Sequence, residues 1–174
     1  VVSEEVHPTV TKALGLLGLG RRRALIVATD GQGRMRVDAL PRLDGPAIVC
    51  AQAGEVNTGA FDPLGRIVEV VRRQPGAWLH VDGAFGLWAA AAPDRRHLVA
   101  GVGAADSWAT DAHKWLNVPY DSGIALCARV EDLHRAFATE AAYLTVGEVT
   151  ERAPMHLSVQ MSQRARGIEV WATL

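Results

Sequence analysis

Lys114 lies in a stretch whose composition is typical of a reactive lysine and not of a solvated surface lysine. It follows His113 and precedes Trp115, within the run SWATDAHKWLNVPYDSG at residues 107–123. Surface lysines usually have polar neighbours, whereas the sequence neighbours here are mostly apolar. Because burial disfavours the charged ammonium, we expect a free amine that acts as a nucleophile and forms a Schiff base with a carbonyl compound. The alternative is a lysine that extends to solvent from a buried strand end.

Asp82 is the second residue of chemical interest. It ends the short apolar run of residues 78–81, and the small residues Gly83 and Ala84 follow it in the motif WLHVDGAFG. A carboxylate at the carboxyl end of a strand suits a pyridinium partner, because small residues after it let a flat ring approach. The alternative is that Asp82 caps the helix that follows.

Alternating strands and helices position these two residues. The sequence predicts strands at residues 23–29, 47–53, 78–81, 107–110 and 123–128, and helices at 7–19, 64–75, 85–92, 131–137 and from about 159 to the end. Asp62 is predicted to cap the helix at 64–75. This alternation predicts an α/β fold with an open, mainly parallel sheet and helices on both faces.

Five short motifs spread over nearly the whole chain carry a family resemblance. They are SEEVHPTV at 3–10, GAFDPL at 59–64, HVDGAFG at 80–86, DAHKW at 111–115 and AAYL at 141–144. In this order and with these gaps, the chain resembles the group II pyridoxal-phosphate-dependent amino acid decarboxylases of the fold-type I, aspartate aminotransferase-like superfamily. The resemblance implies the large domain of a PLP-dependent transferase-like fold.

The resemblance implies that four residues bind the ring of pyridoxal phosphate. Lys114 would hold the cofactor as a Schiff base, and Asp82 would pair with the ring nitrogen and keep it protonated. His7 would stack on one face of the ring and Ala84 would contact the other. Taken alone, a histidine before a proline is more often a polar residue at a helix start.

Three further residues complete the implied site. His113 would hydrogen-bond the phosphate or the substrate carboxylate, although a structural histidine is an alternative. Asp111 would lie near the phosphate. Tyr143 would return a proton to Cα after carbon dioxide leaves; its alternative is an aromatic residue packed on the last helix.

The implied function is decarboxylation of an L-amino acid to the amine and carbon dioxide. The implied enzyme is a cytoplasmic homodimer in which the loop carrying Tyr143 reaches the neighbouring subunit's site, and aromatic and acidic substrates are both compatible. A different fold-type I enzyme (an aminotransferase, aldolase or sulfur lyase) would use the same lysine. A metal-dependent hydrolase using His80, Asp82 and His113 is a further hypothesis, and a non-catalytic remnant is the last.

Two positions depart from the family pattern. Gly54-Glu55-Val56 stands where many relatives have Gly-Thr-Thr, so an expected hydroxyl near the cofactor is missing unless Thr58 supplies it. Gln163 stands where relatives often have arginine. These differences concern the affinity for cofactor and substrate more than the fold.

Composition and chain ends limit the remaining possibilities. A formal net charge of −1 gives no electrostatic case for nucleic acid or an anionic membrane, and no apolar run is long enough to cross a bilayer. Cys50 and Cys127 are expected to be free thiols in a reducing cytosol. Both ends look cut, so residues 1–174 are interpreted as the central part of the large domain, without the upstream phosphate-binding segment and the C-terminal small domain.

Overall fold

A computed structural model describes residues 1–139 and 153–174. Its strands are β1 (Val2–Ser3), β2 (Ile26–Val27), β3 (Ala47–Gln52), β4 (Ala77–Asp82), β5 (Ser107–Asp111) and β6 (Gly123–Cys127). Its α-helices are α1 (Pro8–Leu16), α2 (Leu64–Val71), α3 (Ala112–Trp115), α4 (Val130–Phe137) and α5 (Arg166–Thr173). Short 3-10 helices occur at Arg21–Arg23, Val37–Ala39, Gly86–Ala91, Arg96–Val99, Val102–Ala104 and Pro154–His156.

The described strands form one six-stranded sheet with the order β2-β1-β3-β4-β5-β6. Every neighbouring pair is parallel except β5 and β6, which are antiparallel. The predicted open, mainly parallel α/β sheet is therefore confirmed. None of the described helices is both long and apolar enough to cross a membrane.

One face of the sheet packs against α2 and forms the core. Val49 and Ala51 of β3 and Leu79 and Val81 of β4 are almost completely buried, because alternate strand residues point to the same side. The α2 residues that pack toward this face recur at helical spacing: Leu64, Ile67 and Val71. Burying each large aliphatic side chain contributes about 1.5–3 kcal/mol, which fixes β3 and β4 side by side.

The opposite face carries the polar residues at the strand ends. Gln52, Asp82 and Ala109 are opposite one another on β3, β4 and β5. Because these strands are parallel, their carboxyl ends lie at one edge of the sheet, where α/β proteins bind ligands. The register thus places Asp82 between Gln52, at the end of β3, and Ala109, two residues before the end of β5.

Two local predictions were wrong. The last helix begins at Arg166 rather than near residue 159, since Val159 and Met161 are two residues apart and give a helix no apolar stripe. Asp62 does not cap α2: its Oδ1 accepts the Met35 N–H at 2.6 Å and its Oδ2 accepts the Gln52 N–H at 2.7 Å. Asp62 is buried and connects β3 to the segment around Met35 through these two bonds.

Candidate active site

A cleft of about 490 Å³ lies at the carboxyl ends of β3, β4 and β5. Six of the seven residues predicted from the sequence line it: His7, Asp82, Ala84, Asp111, His113 and Lys114. The seventh, Tyr143, lies outside the described residues. Residues from separate segments therefore meet in one cavity, although up to 107 positions separate them in the sequence, from 7 to 114.

Asp82 is held at the tip of β4 by its own backbone and by the turn that follows. Its carbonyl accepts the Ala53 N–H at 2.7 Å, and its Oδ1 accepts the Ala84 N–H at 3.1 Å. The helix-capping alternative for Asp82 is wrong, because the N-cap of the next helix (Gly86–Ala91) is Phe85; Asp82 instead uses one carboxylate oxygen to hold the turn. Within the described part of the chain Oδ2 makes no hydrogen bond, so it is free to accept one from a ligand.

Lys114 is not in the apolar surroundings that its sequence neighbours suggested. Its Nζ lies 2.8 Å from Oδ2 of Asp111 and 4.1 Å from the centroid of the Phe85 ring. The side chain is a quarter exposed, and the adjacent Trp115 points largely into solvent. The prediction failed because residues three apart share a face of α3, whereas immediate neighbours in the sequence do not.

Asp111 therefore contacts the lysine directly. It ends β5 and precedes the single turn of α3, and its side chain makes no capping hydrogen bond. The phosphate contact expected for Asp111 stays a prediction, and electrostatics disfavours it because two anions repel each other.

His113 combines a structural bond with a position in the cleft. Its Nδ1 accepts the Ser122 N–H at 2.9 Å, and its ring centroid lies 4.2 Å from that of Tyr120. Because Nδ1 is an acceptor, a neutral ring carries its proton on Nε2. This Nε2 lies 3.9 Å from Oδ2 of Asp111, so its N–H is directed to the charged part of the cleft.

His7 begins α1 and also forms part of the cleft wall. It is the N-cap residue of α1, with Nδ1 2.8 Å from Oγ1 of Thr9 and 3.4 Å from the Thr9 N–H. The capping role that a histidine before Pro8 suggests is thus realised. The His7 ring still lines the cleft, and its stacking on the cofactor ring stays a prediction.

The loop after β3 does not supply the missing hydroxyl. Glu55 is buried, and its carboxylate accepts the backbone N–H groups of Asn57 and Thr58 at 2.9 and 2.8 Å. Burial raises the pKa of Glu55, but these and two side-chain hydrogen bonds outweigh it and hold the pKa below its ordinary value. Oγ1 of Thr58 lies 2.9 Å from the Gln32 carbonyl, away from the cleft, which Val56 lines instead.

Gln52 and His80 are cleft residues to which the sequence reasoning gave no place in the cofactor site. Gln52 is 5% exposed, and its Nε2 has no hydrogen-bond partner among residues 1–139 and 153–174. Nδ1 of His80 lies 2.8 Å from Oγ of Ser107, which also accepts the indole N–H of Trp78. Burial lowers the pKa of His80, and the nearby Asp82 carboxylate only partly offsets this. The available signal was the position of each residue on its strand. Gln52 ends β3, and His80 lies two residues before Asp82 on the same face of β4.

The metal-dependent hydrolase gains no support from these positions. Across the described residues, no three or more His, Cys, Asp or Glu side chains are placed to hold one metal ion together. Two of the three suggested ligands instead have ordinary hydrogen-bond partners, as described for His80 and His113.

Comparison with known proteins assigns the family. A model described as the pyridoxal-dependent decarboxylase conserved domain matches residues 1–174. The chain belongs to the pyridoxal-dependent decarboxylase family. It is 31% identical to an aromatic-L-amino-acid decarboxylase of Bacillus atrophaeus over 97% of this chain, and 34% identical to the acidic amino acid decarboxylase GADL1 of Mus musculus over 98%. It spans 37% and 33% of the lengths of these two relatives.

Membership in the decarboxylase family extends to the three-dimensional structure. The crystal structure of mouse CSAD in apo form superposes with a TM-score of 0.87 at 30% sequence identity, and the match covers 99% of this chain and 38% of that one. The predicted fold class and the predicted resemblance to decarboxylases are both confirmed.

The cleft residues fit the pyridoxal group that the decarboxylase family is named for. Three features line one cavity: an amine for its aldehyde (Lys114), a carboxylate for its ring nitrogen (Asp82) and a small residue where the ring would lie (Ala84). Among the described residues, one oxygen of the Asp82 carboxylate makes no hydrogen bond. The cleft volume is also within the roughly 300–1,000 Å³ typical of small-ligand sites.

Proposed function

We propose that the protein to which this chain belongs decarboxylates an L-amino acid to the corresponding amine and carbon dioxide, using pyridoxal phosphate. The observation that carries the proposal is the meeting of Lys114, Asp82 and His7 in one cleft at the strand ends. Family membership supports decarboxylation, and the named relatives favour aromatic or acidic amino acids as the substrate class.

Each residue has a separate role in this proposal. Lys114 would hold the cofactor covalently at its aldehyde carbon, and Oδ2 of Asp82 would keep a proton on the ring nitrogen. His7 and Ala84 would hold the two ring faces. His113 would offer its Nε2 proton to a phosphate or carboxylate oxygen. When bound, pyridoxal phosphate supplies an electron-poor ring that accepts the electrons of the bond to the departing carboxylate.

Tyr143 is proposed as the residue that returns a proton to Cα. A phenol serves as a general acid when water is excluded from the site. We also propose that the whole protein is a cytoplasmic homodimer in which Tyr143 acts at the neighbouring subunit's site. The two free thiols, Cys50 and Cys127, are consistent with a reducing compartment.

The proposal is tested with the full-length protein supplied with pyridoxal phosphate and a panel of L-amino acids. Amine and carbon dioxide should form in equal amounts without a keto acid. A requirement for a keto acid, with no release of carbon dioxide, would identify an aminotransferase instead. Tyr143→Phe should reduce amine formation while leaving cofactor attachment intact, and mixing it with a Lys114→Ala subunit should restore activity only if the site is shared between subunits.

A further inference from the structure

Two groups contact the amine of Lys114 in the described part of the chain, and a third lies near one of them. Oδ2 of Asp111 lies 2.8 Å from Nζ, and the centroid of the Phe85 ring lies 4.1 Å from it. Nε2 of His113 lies 3.9 Å from the same Asp111 oxygen. The ammonium is therefore held between a carboxylate and an aromatic face, both of which attract a cation.

An ammonium held in this way cannot bond to an aldehyde until it loses a proton, because its nitrogen has no lone pair. Oδ2 of Asp111 is at hydrogen-bond distance from Nζ, as a base that removes this proton must be. His113 is unsuited to act as this base, because its Nδ1 accepts the Ser122 N–H and its Nε2 is therefore a donor.

We propose that Asp111 is the base that activates Lys114 when the lysine attaches to pyridoxal phosphate, an inference that rests on the function proposed above. One of the three Nζ protons passes to Oδ2 of Asp111 as the nitrogen bonds to the aldehyde carbon. The carbon–oxygen bond breaks, and the aldehyde oxygen leaves as water with the other two protons. The products are a carbon–nitrogen double bond, one water molecule and a neutral carboxylic acid, and neither an oxidant nor a reductant is needed.

The contacts of Asp111 also distinguish its proposed role as a base from a purely structural role. Its carboxylate does not cap α3, and within the described residues its contacts run to Lys114 and, more distantly, to His113. Asp111→Asn is nearly isosteric and should leave the fold intact. Asp111→Glu keeps a carboxylate on a longer side chain. Asp94→Asn is the matched control, since Asp94 is three-quarters exposed and pairs only with Arg95 among the described residues.

The test measures how fast cofactor-free, full-length protein attaches pyridoxal phosphate, followed by visible absorbance and by borohydride reduction with peptide mapping. Asp111→Asn should slow attachment at Lys114 about 100-fold, the lower end of the range for general base catalysis. Asp111→Glu should recover most of the rate, and Asp94→Asn should match the wild type. Far-ultraviolet circular dichroism checks that each variant is folded.

Two results would overturn the inference and leave the proposed function standing: an Asp111→Asn rate equal to that of the wild type, or an Asp111→Glu rate as slow as that of Asp111→Asn. A wild-type protein that attaches no cofactor at Lys114 would overturn the proposed function and, with it, this inference.

Discussion

Nζ of Lys114 and Oδ2 of Asp111 form an ion pair 2.8 Å long across the single turn of α3. The pair is partly exposed, and ion pairs of this kind contribute about 0–1 kcal/mol to folding. The importance of Lys114 to the proposed enzyme is therefore chemical, and its loss should affect cofactor attachment far more than stability.

Lys114→Arg separates these two effects. Arginine keeps a cation beside Asp111 but stays protonated, so it cannot bond to an aldehyde. We expect covalent attachment of pyridoxal phosphate to be abolished, while the free energy of unfolding changes by less than about 1 kcal/mol. Absorbance titration and denaturant unfolding measure the two quantities. Lys12→Arg is the control, because Lys12 is exposed on α1 and should have no effect on either.

Asp82→Asn tests the proposed partner of the ring nitrogen. Asparagine still accepts the Ala84 N–H through its side-chain oxygen, so the turn after β4 should persist. Without the charge, the ring would no longer be held protonated, and we expect kcat for carbon dioxide release to fall about 100-fold. Steady-state kinetics at saturating cofactor measure this. An unchanged kcat would show that Asp82 only holds the turn after β4.

His80 should make stability depend on pH. Its folded-state pKa is lowered from 6.5 by burial, so the unfolded state binds a proton more readily. His80 therefore contributes stability that is present above pH 6.5 and is lost as the pH falls below it toward the folded-state pKa.

The measurement compares His80→Asn with the wild type. The difference in the free energy of unfolding should shrink as the pH falls below 6.5. His97→Asn, which alters an exposed histidine, is the matched control. A difference that stays constant with pH would mean that His80 titrates alike in the folded and unfolded states.

Gly86→Ala should destabilise the segment that follows the cleft residue Phe85. A Cβ at Gly86 would overlap the carbonyl oxygen of Ala53 and lie 2.6 Å from Cζ of Phe61. We expect a loss of about 1–3 kcal/mol, as for overpacked interiors. Gly31→Ala is the matched control, since a Cβ there would meet no atom of the described residues within 4 Å. Equal denaturation midpoints for the two variants would contradict the close approach of Gly86 to Ala53 and Phe61.

The sheet was predictable because its buried strands carry an unambiguous pattern. Residues 47–52 and 77–82 are apolar runs bounded by turn residues, and parallel strands buried on a core give that signal. The ends of the same runs located Asp82 and the cleft, since the carboxyl ends of parallel strands share one edge. The family motifs then added His7, which no local pattern would have assigned to the cleft.

The contacts within the site could not be predicted from the sequence pattern. Whether Lys114 meets a carboxylate depends on the single turn of α3, too short to leave a periodic signal. Asp62 accepts an N–H from Met35, 27 positions away, and such bonds depend on which backbone groups the fold leaves without partners. Glu55 and Thr58 form hydrogen bonds with each other for the same reason. The comparison with relatives considered Thr58 only as a replacement for the missing hydroxyl and did not predict these bonds.

The site of cofactor attachment tests the proposed chemistry most directly. Full-length protein is incubated with pyridoxal phosphate, reduced with borohydride, digested and mapped by mass spectrometry. Lys12 and Lys114 are the two lysines of this chain, so the outcome within it is a choice between them. We expect the reduced cofactor on Lys114 in the peptide containing DAHKW; a label on Lys12, or none on Lys114 while the protein remains folded, would contradict the proposed function.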